Sequence, residues 1–177
     1  MTLESYRNFK AREAERIADV LGVHELILLG WTDHEIYFDL DKAHELADVI
    51  RKVAPDIVIT RLPVDNGPSN NDHPTTGRIV MKALEIVGNR VREFDGVDAS
   101  HGVKQVFFSF AGGEEVNSNN FFVPGIVPDV WVDTTSVIHK KVQAMDQLAS
   151  QGYEGETARW IAEARDGRWG MIAGCAY

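Results

Sequence analysis

Asp72 and His73 are the residues best placed to do chemistry in this sequence, inside the stretch Ser69 to Arg78 that reads SNNDHPTTGR. A carboxylate beside an imidazole, followed by Pro74, suits a loop that runs into a helix. There the free backbone N–H groups and the helix dipole favour negative charge. One reading makes His73 a metal ligand and Asp72 a neighbour that orients it or acts on protons. The other makes Asp72 a helix cap, Pro74 the first helical residue and His73 an exposed ring. Spacing alone favours the second. A catalytic metal needs three protein ligands, and no HxxxH, HExxH or CxxC occurs. His24, His34, His44, His101 and His139 are scattered along the chain and read as surface or partly packed residues. The absence of GxGxxG, GxxxxGK[ST] and GxSxG argues against dinucleotide, P-loop and serine-hydrolase chemistry.

The elements that must position Asp72 and His73 alternate in type. Phe9, Ala14, Ile17, Ala18 and Leu21 recur at helical spacing, and Gly22 supplies a stop. Glu25 to Leu29 is a continuous apolar run ending at Gly30, expected to be a strand buried on both faces. Asp41 is the expected cap of a helix whose stripe is Ala43, Leu46, Ala47, Ile50 and Val53, ended by Pro55. Asp56 to Thr60 is rich in β-branched residues and reads as a strand. After a loop from Arg61 to Asn71, Pro74 opens a helix carrying Ile79, Val80, Ala83, Leu84 and Val87. Lys104 to Phe110 reads as a further strand, Val130 to Val132 as a short extended piece. Thr135 is the expected cap of a helix with Ile138, Val142, Met145 and Leu148, and a last amphipathic segment spans Glu156 to Ala164. The loop between Gly112 and Pro128, with Glu114, Glu115 and Asn117 to Asn120, reads as exposed and solvated, or else as the lining of a substrate pocket.

Helix and strand in alternation predict an α/β fold, Rossmann-like, with a mostly parallel sheet and crossover helices. In such folds ligands bind beyond the carboxyl ends of the strands. The loops holding Gly30 to His34, Asp65 to His73 and Ala111 to Asn120 all leave strands at that edge. The alternation starts on a helix with no strand before it, so the expectation is a single domain over residues 1–177 whose first strand or strands are missing.

At 177 residues the chain suffices for one domain with a real core, and 44% of it is hydrophobic. Its net charge of −9 argues against nucleic acid and anionic membrane surfaces as partners. Cys175 is the one cysteine, which excludes an internal disulfide and fits a reducing compartment. No apolar run reaches membrane-spanning length, and the opening MTLESYRNFK lacks the apolar core of a signal peptide. The expected location is cytoplasmic.

The sequence resembles the PIG-L/LmbE-like family of zinc-dependent N-deacetylases. Lys10 to Ala14, Ala18 and Leu21-Gly22-Val23 look like the family's helix pattern, and Leu29-Gly30-Trp31-Thr32-Asp33 like its following strand end. Pro55 to Thr60 is similar to its next strand, and Asp72-His73 to its second metal motif. Asp133-Thr134-Thr135, Lys141, Ala144 and Ser150-Gln151 are similar to a later family segment. Each motif is short; their order and spacing together are specific. The resemblance implies removal of acetyl from an N-acetylglucosamine-type substrate by a zinc-activated water. It implies His73 as third zinc ligand, with Asp72 orienting it or stabilising charge. Asp33, with Lys10 or Arg12, would hold sugar hydroxyls or an anionic group. Asn70 stands where the family has a histidine; it can donate a hydrogen bond but carries no proton charge.

The family's His-Pro-Asp-Asp, which supplies the other two ligands and the general base, does not occur in the sequence. Its place would fall upstream of Met1, on the strand that the alternation lacks. A further family histidine corresponds to Leu148. The expectation is therefore a deacetylase domain truncated at its N-terminus and cut short at its C-terminus, inactive as this chain and without tightly held zinc. The alternatives are a non-catalytic member that binds a sugar or a partner subunit, and an unrelated α/β module binding a nucleotide or sugar. The family implies homo-oligomers.

Overall fold

The computed structural model describes residues 2–64, 72–88, 102–109 and 128–177. By its contacts the chain divides into two compact units, one made of Met1–Gly30 with Pro128–Tyr177 and the other of Trp31–Val127.

In the first unit, α1 spans Leu3–Leu21. The Thr2 hydroxyl caps it by accepting from the Ser5 amide, and Gly22, in the left-handed region at φ 72°, closes it with N–H bonds to Ala18 and Asp19. α4 (Ile138–Met145) packs on α1 and on α5 (Glu156–Ala173). Small residues make the close surfaces: Ala18, Ala144, Ala158 and Ala162 are buried. A 3₁₀ turn at Ala149–Gln151 joins α4 to α5. The expected helix start moves here. α4 begins after Val137 with no side-chain cap bond, and the Thr135 amide instead donates to Asp133.

The expected strand at Glu25 to Leu29 is corrected. Among the described residues no strand pairs with the segment. Leu26, Ile27 and Leu28 are 37–54% exposed, so the run is not buried on both faces. An apolar run becomes a strand only through hydrogen bonds to a neighbour. Val130 to Val132 likewise carries no strand pairing among the described residues.

In the second unit, α2 (Leu40–Val53) is capped by Asp39, whose carboxylate accepts from the Asp41 amide, so the cap lies two residues before the expected one. Ala43, Ala47 and Ile50 form its buried stripe. β1 (Ile57–Arg61) and β2 (Gln105–Ser109) form a parallel pair with Ile57 opposite Gln105 and Arg61 opposite Ser109. α3 (Asp72–Gly88) is the helix between them in sequence, packing on both α2 and β1. This is the α/β, parallel-sheet architecture expected from the alternation. Its core is Ala47, Ile50, Ala83 and Val87, with Leu46, Leu84, Ile86 and Val103 packed around them. Ile57 and Ile59 point away from that core and are exposed. No helix among the described residues is long and apolar enough to cross a membrane.

Gly77 sets how closely α3 approaches the end of β1. A Cβ there would lie 3.0 Å from Pro63 Cα and closer still to the Arg61 carbonyl oxygen, both of them backbone. Gly77→Ala should therefore force α3 away from the strand exit and destabilise the protein by about 1–3 kcal/mol. Urea unfolding with an unchanged slope and a lowered midpoint is the expected result.

Candidate functional site

Asp72 and His73 are the first two residues of α3, not residues preceding it. The Asp72 side chain is buried at 5% exposure, and a carboxylate so placed must be hydrogen-bonded. Its Oδ2 accepts from the backbone N–H of His34 at 2.5 Å. His34 is held at φ 65°, a left-handed conformation that is uncommon outside glycine. The carboxylate thus fastens the turn at Asp33-His34 to the start of α3. Asp33 itself stays open to solvent, its side chain 80% exposed, with His34 Nε2 3.9 Å away.

His73 is half-buried, and its Nδ1 lies 2.5 Å from Arg61 Nη2 at the end of β1. A guanidinium has donors only, so Nδ1 is the acceptor and a neutral ring carries its proton on Nε2. Metal ligation through Nδ1 would displace Arg61. Ligation through Nε2 would move the proton to Nδ1, turning donor against donor. Either way the Arg61 contact and a metal bond exclude each other. Among the described residues no group of three or more His, Cys, Asp or Glu is placed to hold a metal ion. The described donors by themselves do not fit zinc.

Lys10 and Arg12 lie on α1 in the other unit, with different surroundings. Lys10 Nζ is engaged inside its unit, 3.1 Å from Glu13 Oε2 and 2.8 Å from Ser150 Oγ. Glu13 is 1% exposed, and its carboxylate also accepts from the Ser150 amide at 2.8 Å and the Ser150 hydroxyl at 2.7 Å. Arg12 is exposed and lines a surface recess with Ser5, Asn8 and Glu15. Asn70 and residues 112–127 lie outside the described residues.

Two contacts carry no local signal in the sequence. Arg61 reads there as the first residue of a loop, and Glu13 as part of a helix motif. Ser150 is 137 residues from Glu13, and no local signal links them.

The fold is α/β. The chain is similar over residues 2–84, just under half of its length, to the family described as GlcNAc-PI de-N-acetylase. It is 27% identical over 158 residues to the diacetylchitobiose deacetylase of Thermococcus kodakarensis, covering 85% of this chain and 52% of that protein. It is 28% identical over 167 residues to the 4-oxalmesaconate hydratase of Pseudomonas putida, covering 93% of this chain and 59% of that one. The crystal structure of the conserved protein TT1542 from Thermus thermophilus superposes with a TM-score of 0.75 at 20% identity, over 100% of this chain and 71% of that one. That last likeness is one of fold. The chain spans between half and three fifths of the length of the curated relatives it matches.

Glu13 carries a pH dependence. Burial raises its pKa, but the bonds from the Ser150 hydroxyl, the Ser150 amide and Lys10, with the Lys10 charge, outweigh burial and leave it below the usual glutamate value. A folded pKa below the unfolded one contributes stability that is full above the unfolded value and is lost as pH falls through the folded value. Glu13→Gln should turn an amide N–H toward these donors and cost about 1–3 kcal/mol at pH 7. Urea unfolding across the acid range should show that the variant has lost part of the wild-type decline below the glutamate pKa.

Proposed function

We propose that this chain carries part of the site of a PIG-L-type N-deacetylase, a hydrolase of the N-acetyl amide of an N-acetylglucosamine-type sugar. The observation that supports the reading is the Asp72–His34 bond. It brings the exposed Asp33 turn to the Asp72-His73 start of α3, joining two motifs that the resemblance assigns to substrate and to chemistry.

In this reading Asp33 holds sugar hydroxyls. Of the two basic residues that the resemblance offers for an anionic group, Arg12 is the candidate, since Lys10 is committed to Glu13 and Ser150. Asp72 orients the edge of the site through the His34 amide, and Asn70 donates a hydrogen bond to the reacting carbonyl region. Zinc, with His73 as one ligand, belongs to a donor set larger than the described residues supply, and the Arg61 contact must open for it. In this reading the chain by itself does not turn the sugar over. A cytoplasmic location and assembly into homo-oligomers complete the proposal. A non-catalytic sugar- or partner-binding role is its nearest variant.

The similarity to the 4-oxalmesaconate hydratase favours a second reading, in which the same edge serves hydration of a 4-oxalmesaconate-type compound.

The test supplies the purified chain and zinc ion with N,N′-diacetylchitobiose, following sugar binding by NMR and deacetylation by the appearance of free amine. Saturable binding without amine is expected, weakened about tenfold (1.4 kcal/mol) in Asp33→Ala. Release of amine would overturn the inactivity. Hydration of 4-oxalmesaconate with no sugar binding would support the second reading.

A further inference from the structure

Within the first unit, residues of the C-terminal third enclose a pocket of about 200 Å³, its walls including Trp131, Lys141, Asp166, Trp169 and Tyr177. The pocket is a constructed feature. The chain after α5 turns back on the helix at Gly174, in the left-handed region at φ 83°, and the Cys175 amide donates to the Gly170 carbonyl at 2.9 Å. A Cβ on Gly170 would come within 2.6–2.7 Å of the Ala176 carbonyl and Tyr177 nitrogen, so only glycine lets the tail close. The tail is then tied to the segment before α4: Thr134 N–H donates to the Tyr177 carbonyl at 3.0 Å, and Tyr177 N–H donates to Thr135 Oγ1 at 3.2 Å.

Inside this frame the side chains present two chemistries. Trp131 and Trp169 lie with ring centroids 5.4 Å apart and planes tilted by 49°. Arg168 stands 6.0 Å from the Trp169 ring, which braces that indole, while Trp131 keeps 41% of its surface open. Beside the indoles, Lys141 Nζ and an Asp166 oxygen are 2.5 Å apart, with Asp166 only 16% exposed. That bond uses one of three ammonium donors and one of about four carboxylate acceptor sites, leaving both groups further hydrogen-bonding capacity.

We infer that this pocket binds a single neutral pyranose ring. A pyranose has an apolar C–H face, which stacks on an exposed indole, and a rim of vicinal hydroxyls, which suits a donor and an acceptor held side by side. Other occupants match less of the wall. A purely apolar ligand would strip water from the Lys141–Asp166 pair without replacing its hydrogen bonds. A quaternary ammonium ion would gain from the aromatic faces, but Lys141 neutralises the carboxylate that would attract it. The volume falls below the roughly 300–1,000 Å³ usual for larger ligands, which suits a single ring inside the pocket. The inference is independent of the deacetylase reading, because Asp33, Arg12, Asp72 and His73 take no part in it.

The test titrates the purified chain with methyl β-glucopyranoside and methyl β-galactopyranoside. Tryptophan fluorescence and saturation-transfer NMR are the readouts, with mannitol as an acyclic control and tetramethylammonium as a cationic one. Saturable millimolar binding of at least one pyranoside is expected, with saturation transferred to protons of one ring face. Trp131→Ala and the near-isosteric Asp166→Asn should each weaken it about tenfold. Asp33→Ala should leave it unchanged, which separates this site from the proposed substrate edge. Circular dichroism verifies that each variant is folded. No saturation by either pyranoside, equal binding of mannitol, preference for tetramethylammonium, or binding unaffected in folded Trp131→Ala and Asp166→Asn would overturn the inference.

Discussion

The first turn of α3 is the point on which the second unit depends, because a buried carboxylate there must be satisfied. Asp72 is removed from solvent, and leaving it without hydrogen bonds would cost several kcal/mol. The His34 amide meets part of that requirement, and in doing so fixes a turn whose backbone lies in the left-handed region. The same helix start is tied to the strand exit by Arg61 and His73. Gly77, one turn further on, allows the two elements to come that close. Strand end, turn and helix start are therefore one mechanical piece, and the residues that chemistry would use are also those that hold it together.

That arrangement has a consequence for metal chemistry. An imidazole that binds a metal ordinarily gives its other N–H to an acceptor, which fixes the tautomer. His73 has a guanidinium at Nδ1, which can only donate. Arg61 thus occupies the place a cation would take at Nδ1 and selects the tautomer unsuited to ligation through Nε2. Any account in which His73 ligates a metal must include the departure of Arg61. Any account in which it does not must give Arg61 a lasting role in positioning the ring.

Much of this was legible in the sequence where the signal is local. α1 could be bounded almost to the residue, because its stripe and its terminating Gly22 are local and sufficient. β1 and β2 were legible because β-branched and aromatic residues concentrate in runs of strand length. The cap of α2 was displaced because Asp39 and Asp41 are chemically alike, and only backbone geometry distinguishes cap from first turn. The segment at Glu25 to Leu29 has the composition of a buried strand, but strand formation depends on a partner that composition does not specify. Asp72 and His73 were legible through a motif in its proper order. Arg61, Glu13 and Ser150 were not, because their partners are set by tertiary contact across 12 to 137 residues of sequence. The same holds for the basic pair on α1. Only the structure separates Lys10, engaged with a buried carboxylate, from Arg12 at the rim of a surface recess.

The tautomer of one ring distinguishes the two accounts of His73, and ¹⁵N-resolved NMR of the His73 side chain reads it. At alkaline pH, where imidazole is neutral, the account predicts an unprotonated, hydrogen-bonded Nδ1 and a protonated Nε2. Arg61→Met should redistribute the tautomers. A ring protonated on Nδ1 in the wild-type chain, or one indifferent to the loss of Arg61, would contradict the account.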